Sequence, residues 1–419
     1  MRYATIVVLG LLAAASGCDL FNNALEVQNP SSVPAGGIET PGNAVLLVNS
    51  AIADFECAVG SYNVMSGLID DELIDATQTA DRYPYERRNM TSSDPRYAVN
   101  SCIGLGVYTP LQTARFSALN VLSLLQEWTD AQVPGRDTMI VTLQAYEGYS
   151  LLLLGEGFCT MVVSTLDANR QTIYGGEIQR DSVFKLAVAS FSDAIAGATV
   201  TGQTAVQNMA LVGRARAYTD LGLYATAKTD AQAVPAAFRK DVTASGISTR
   251  RNNRVWQENS ATSDNTTLDT TYTKMSDPRV PFTDKMRNSV TGYHLYRQDK
   301  YTTSSSPFRL ASGDEARLLI AEANIVAGDL VGADSIINSF RARGGQAPMV
   351  SPDSGVASDS LFDQRKRELL LEGQHLFDLT RFGKTPNPPA GTVFLGGGTY
   401  ASQLCMPLPD VEKNNNPNF

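Results

Sequence analysis

Two stretches of this chain repeat one pattern of small residues. Ala215, Ala217, Gly222 and Ala227 are matched further on by Ala321, Ala323, Gly328 and Ala333. In both, the spacing A-x-A-x4-G-x4-A predicts a helix, a glycine turn and the start of a second helix. Small residues there let two antiparallel helices approach closely, as in tetratricopeptide-like pairs. Gly148, Ser150, Gly155 and Thr160 form a weaker third copy. The copies are not tandem, so the chain reads as a mostly α protein of helix hairpins separated by insertions. With 419 residues, 43% of them hydrophobic, it can bury a large core as one domain or two.

The rest of the chain divides by texture. An extended polar lead-in carries Pro30, Pro34 and Pro41, and an apolar helical pattern runs from Ala44 to Leu73. A polar loop rich in Arg and Tyr spans roughly 75–101. Helical patterning then continues from Leu111 to Val234, broken at Pro134-Gly135 and around Asp167–Gly176. Residues 236–312 lose apolar periodicity, and Trp256, Tyr272, Tyr293, Tyr296 and Tyr301 are scattered among Asn, Ser, Thr and Arg. That composition predicts a loop-rich insertion with short strands or turns. Helices return at Gly313–Phe340. Arg365–Gly383 reads as one further amphipathic helix, with Leu369, Leu376 and Leu379 on one face. Gly373 falls inside that helix, at a cost of about 1 kcal/mol against Ala, which suits a close approach of another backbone.

The N-terminus predicts export. Arg2 precedes an apolar run from Ile6 to Leu12, and Ala15-Ser16-Gly17-Cys18 forms a lipobox, making residues 1–17 a signal peptide and Cys18 the lipidated first residue. The apolar run is shorter than the ~20 residues a bilayer core needs, and no later segment is read as spanning. Outside the cytoplasm, Cys57, Cys102, Cys159 and Cys405 allow two disulfides in three connectivities.

Towards the end of the chain Arg367, Glu368, Leu369, Glu372, Gly373, Asp378, Leu379 and Arg381 are followed by Pro407, Pro409, Glu412, Asn416 and Pro417. This pair of motifs resembles the C-terminal signature of the SusD/RagB family of nutrient-binding outer-membrane lipoproteins. Asp277-Pro278-Arg279 and Asn338 with Arg341-Ala342-Arg343-Gly344 add two family-like elements, while His375 stands where the family more often has Arg. The resemblance implies a SusD-like fold over 18–419 and a lipid anchor in the outer membrane at the cell surface. It also implies a SusC-like TonB-dependent transporter as partner, and capture of oligosaccharides or peptides for import without catalysis. A helix-repeat scaffold that binds other envelope proteins is the alternative.

The residues themselves offer no catalytic constellation. His294 and His375 are far apart and form no H-E-x-x-H motif. Gly383-Lys384-Thr385 lacks the first glycine of a phosphate loop, and there is no G-x-S-x-G elbow. A net charge of −9 argues against a nucleic-acid partner. Asp70, Asp71, Glu72 and Asp75 invite comparison with a carboxylate pair or a Ca²⁺ site, but read better as a solvated helix end leading into a binding loop. No metal and no cofactor is expected. Ligand contact falls to aromatic faces and planar polar groups, for which Asp71, Glu72, Arg82, Tyr83, Tyr85, Arg87 and Trp256 are the candidates. Trp128 reads as core. Arg367, Glu368, Glu372, Gly373, Asp378 and Arg381 read as an ion-pair network that locks the last helix against the hairpins, and His375 as a structural donor.

Overall fold

The computed structural model describes residues 35–419 except 97, 98, 100, 101 and 103. Cys18 and the leader lie outside the described residues. The long helices are α1 (Ala44–Ile69), α2 (Tyr108–Glu127), α3 (Arg136–Gly157), α4 (Arg180–Thr201), α5 (Thr204–Asp220), α6 (Tyr224–Gln232), α7 (Gly313–Val326), α8 (Leu330–Arg343) and α9 (Ser354–Glu368), with the shorter α10 at His375–Arg381. The mostly α reading holds. Successive helices pack as neighbours from α2 through α7 into α8 and α9, and α1 packs against α2 and α3.

Both full copies of the small-residue pattern form helix pairs. Ala215 and Ala217 lie on α5, Gly222 turns the chain at φ 74°, and Ala227 lies on α6. Ala321 and Ala323 lie on α7, Gly328 turns at φ 78°, and Ala333 lies on α8. All six alanines are buried. The third copy differs. Gly148 and Gly155 sit inside α3, and Thr160 is already in a strand, so no turn forms. These glycines make room for rings instead: a Cβ on Gly148 would meet Phe191 at 2.7 Å, and one on Gly155 would meet Phe184 at 2.5 Å. Gly213 on α5 faces Phe191 from the other side. One ring thereby sets the spacing of α3, α4 and α5.

Pro41–Ile69 and Arg180–Thr201 are long and apolar enough to cross a membrane, contrary to the sequence reading. The first is α1 with its preceding turn, 56% buried in its most apolar window and packed on α2 and α3. An internal helix and a spanning one share the same composition.

The strands are short and pair two by two. Thr160–Val162 (β2) pairs with Glu177–Gln179 (β5), and Thr165–Leu166 (β3) with Thr172–Ile173 (β4). Leu73–Asp75 (β1) pairs antiparallel with Thr266–Leu268 (β7), tying the end of α1 to the polar middle of the chain. In that middle, Phe282–Asn288 (β8) and His294–Gln298 (β9) form a hairpin, and Arg239–Val242 (β6) pairs with Phe308–Ser312 (β10). The disulfides are Cys57–Cys102 and Cys159–Cys405. The second is flanked by backbone bonds between Met406 and both Gly157 and Cys159.

Arg365–Gly383 is not one helix. The segment leaves α9 at Glu368, turns through Leu369–Gln374 and re-enters helix at His375. Leu371 has φ 57° and Gly373 φ 78°, so Gly373 serves a left-handed turn and not a helix interior. A Cβ there would also meet Asn63 Oδ1 at 2.6 Å. Amphipathic periodicity survives across the break, which is why the sequence reads as continuous.

Candidate functional site

The end of α1 is not solvated. Asp70, Asp71, Glu72 and Asp75 are all buried: the turn at Leu369–Gln374 meets Glu72, residues on either side of that turn meet Asp71, and Asp75 is enclosed by Thr77 and Glu86. Asp71, itself in left-handed backbone, accepts from Lys366 Nζ at 3.0 Å and from the Asn387 amide at 2.7 Å, and faces His375 Nε2 at 3.5 Å. Glu72 accepts from the Leu371 amide at 2.8 Å. Asp71 and Glu72 therefore grip the signature turn and present nothing to a ligand.

The signature charges extend inward from there. Arg365 forks onto Asp378 with bonds of 2.7 and 2.9 Å. Arg381 reaches Asp220 on α5 at 2.6 Å, Glu322 on α7 at 2.9 Å and Asp378 at 2.6 Å. Arg216 forks onto Glu156. Glu372 accepts from Lys300, while Arg367 and Arg279 meet at Asp277 and Arg279 reaches Glu368. Burial pushes the Asp378 carboxyl up, but Arg365 and Arg381 outweigh it and hold it below the usual range. Elsewhere burial prevails: Glu72, Glu86 and Glu315 are raised to about 7, and Asp220, also repelled by Glu156, to about 8.

The linkage has a definite sign. A carboxyl raised in the folded state keeps a proton that the unfolded chain releases above about pH 4–4.5. Its contribution is complete below that pH and is lost as pH rises through 7 to 8. The lowered carboxyls Asp71 and Asp378 act oppositely, only at acid pH. The melting temperature should fall steadily from about pH 5 to about pH 8.5. A scanning fluorimetry series that is flat or rising over that window contradicts the assignment.

The polar loop after β1 divides between inside and outside. Tyr85 is fully buried, so it is framework and not a ligand contact. Arg82 donates through Nε and Nη2 to Glu258 Oε2 at 2.9 and 2.6 Å, fastening the loop to the short helix Arg254–Glu258 that carries Trp256. Glu86 beneath them accepts from Tyr400 at 2.7 Å and from the Asp75 amide at 2.8 Å. Tyr83 and Arg87 stay half-buried on the wall of an open hollow of about 390 Å³, shared with Asn89, Asp94 and Arg96. Arg87 stacks 5.5 Å above the Phe394 ring.

Trp256 is half-buried on a second hollow of about 250 Å³, with Ser260, Thr262, Arg297, Asp299 and Thr302. The Asn253 side chain caps its helix by accepting from the Trp256 amide at 2.9 Å, which fixes the backbone that carries the indole. Arg297 and Asp299 pair at 2.5 Å across the wall. An aromatic face beside a planar cation, a carboxylate and hydroxyls is equipped to hold a polyhydroxylated ring. Arg297, Asp299, Phe394 and Tyr400 escaped the sequence reading. Arg297 lies in β9 and Asp299 just beyond its end, in the run Tyr296-Arg297-Gln298-Asp299, whose alternation is the available signal.

This architecture is that of a helix-pair binding protein, and comparison gives it a family. The SusD family model matches residues 196–417, and the chain belongs to that family. The fold resembles surface glycan-binding protein A from Bacteroides uniformis (TM-score 0.70, 13% identity, 91% of this chain and 99% of that one). A SusD superfamily protein from Bacteroides vulgatus gives a TM-score of 0.68 at 14% identity, over 90% of this chain and 97% of that one. A laminarin-binding SusD-like protein gives 0.67 at 14% identity, over 90% and 99%. At these identities the likeness is one of fold. No curated protein matches the sequence.

Proposed function

We propose that this chain is a lipid-anchored binding protein that captures oligosaccharides at the outer membrane and delivers them, unaltered, to a SusC-like TonB-dependent transporter. The observation that carries the ligand class is the Trp256 hollow, where the half-buried indole stands beside the Arg297–Asp299 pair. Family membership and the glycan-binding and laminarin-binding proteins of the same fold support it. Arg82, held by Glu258, ties the Trp256 helix to the loop bearing Tyr83 and Arg87, so the elements that carry the two hollows are joined directly.

Affinity electrophoresis against soluble glycans including laminarin, with a set of oligopeptides in parallel, tests the ligand class. At least one glycan should be retarded, and Trp256→Ala should weaken it by roughly tenfold or more. Retention of peptides alone would overturn the oligosaccharide assignment. Mild-detergent purification from the native membrane should bring down a large β-barrel. A helical or periplasmic partner in its place would favour the scaffold reading.

A further inference from the structure

A third hollow, of about 350 Å³, shares no lining residue with the Trp256 hollow. Its wall is α2, whose Thr109, Gln112, Thr113 and Phe116 follow one another at helical spacing, and it is closed by Ser164 after β2 and by Glu412 of the C-terminal helix Asp410–Asn415. Its distinguishing group is Arg115, only 3% exposed yet lining the hollow. Arg115 Nε donates to Gln112 Oε1 at 3.0 Å, and Gln112 is itself fixed by donating to the Val162 carbonyl at 2.7 Å. Among the described residues, the two Nη groups have no hydrogen-bond partner and no carboxylate pairs with Arg115. Glu147 and Glu412 act on it only at longer range.

Arg115 as a whole is buried, but its outer N–H groups open onto the hollow and so remain available to donate to whatever enters it. Burial pushes its pKa down, and it stays a cation all the same. Glu412 is pushed up by its own burial and is engaged with Asn416 and Tyr108, so it opposes an incoming anion less than a free carboxylate would. The half-buried Phe116 ring supplies a flat apolar surface one residue along the helix.

We propose that this hollow is a second binding site, specific for a carboxylate-bearing sugar ring: the Arg115 Nη groups take the carboxylate as a fork, Phe116 covers the ring face, and Thr113 with Ser164 meets its hydroxyls. The volume suits one sugar ring at the end or branch of a chain. An uncharged sugar would leave the fork unsatisfied, so the site discriminates by charge.

Calorimetry on the full chain with D-glucuronate, its methyl ester and D-glucose decides this. Glucuronate should bind saturably, with the ester and glucose weaker by at least about tenfold. Arg115→Gln should abolish the preference, and Arg115→Lys should restore only part of it, because an ammonium cannot fork. Should Arg115 variants fail to fold, Thr113→Trp, which fills the hollow from its rim, should abolish glucuronate binding with the fold intact. Trp256→Ala should leave it unchanged, which separates this site from the face proposed for neutral glycans. Equal binding of acid and ester, survival of glucuronate binding in Thr113→Trp, or no saturation up to the ~10 mM range would each overturn the assignment.

Discussion

Arg381→Met should lower the stability of the folded chain by about 3–5 kcal/mol. The guanidinium touches Asp220, Glu322 and Asp378, carboxylates from three different helices, and is itself buried. Removing it strands buried acids that already outnumber their bases, and each must take up a proton or remain charged without a partner. Lys384 provides the contrast. Its pair with Asp359 spans 2.5 Å but lies at the surface, with the two side chains 31% and 67% exposed. Lys384→Met should therefore change stability by less than about 1 kcal/mol. Urea denaturation of both variants checks the pair, and comparable losses would mean that burial does not govern this network.

The second large effect is expected at the chain's end. Opening Cys159–Cys405 by Cys405→Ser should cost about 2–5 kcal/mol. The bridge joins residues 246 apart in sequence, whereas Cys57–Cys102 joins residues 45 apart. In the loop-closure account the longer loop is worth roughly 1–1.5 kcal/mol more than the shorter. Urea midpoints of the two single-bridge variants, measured under oxidising conditions, give the difference. If the shorter loop proves the more valuable, local packing around Cys57 dominates over chain entropy.

What could be read from the sequence was decided by how local the physics is. The pairs around Gly222 and Gly328 were legible because small residues and a left-handed turn are written within a dozen positions. The break inside Arg365–Gly383 was not, since the left-handed Leu371 has its amide held by Glu72, a partner from the far end of the chain. The same distance hid the burial of Asp70–Asp75: four acids in six residues look solvated until Lys366, His375 and the turn above them are brought in. Trp256 could be singled out as an aromatic in polar surroundings, but its neighbours Arg297 and Asp299 arrive on another hairpin. Arg115 carried no signal at all. Within an apolar helix it resembles any salt-bridged arginine, and only the lack of a partner sets it apart.

The grip of Asp71 and Glu72 on the turn at Leu369–Gln374 also dictates an order of events. The Glu72–Leu371 bond closes across 299 residues, and the Asp71–Asn387 bond across 316. The first long helix to emerge during synthesis cannot bury its acidic end until nearly the last residues have followed. Loops of that size close late. An arriving chain would therefore hold its helix pairs while its two ends wait for each other, and a protein cut short before residue 366 would never complete its core. The segment that marks the family is the one that closes over the end of the first long helix.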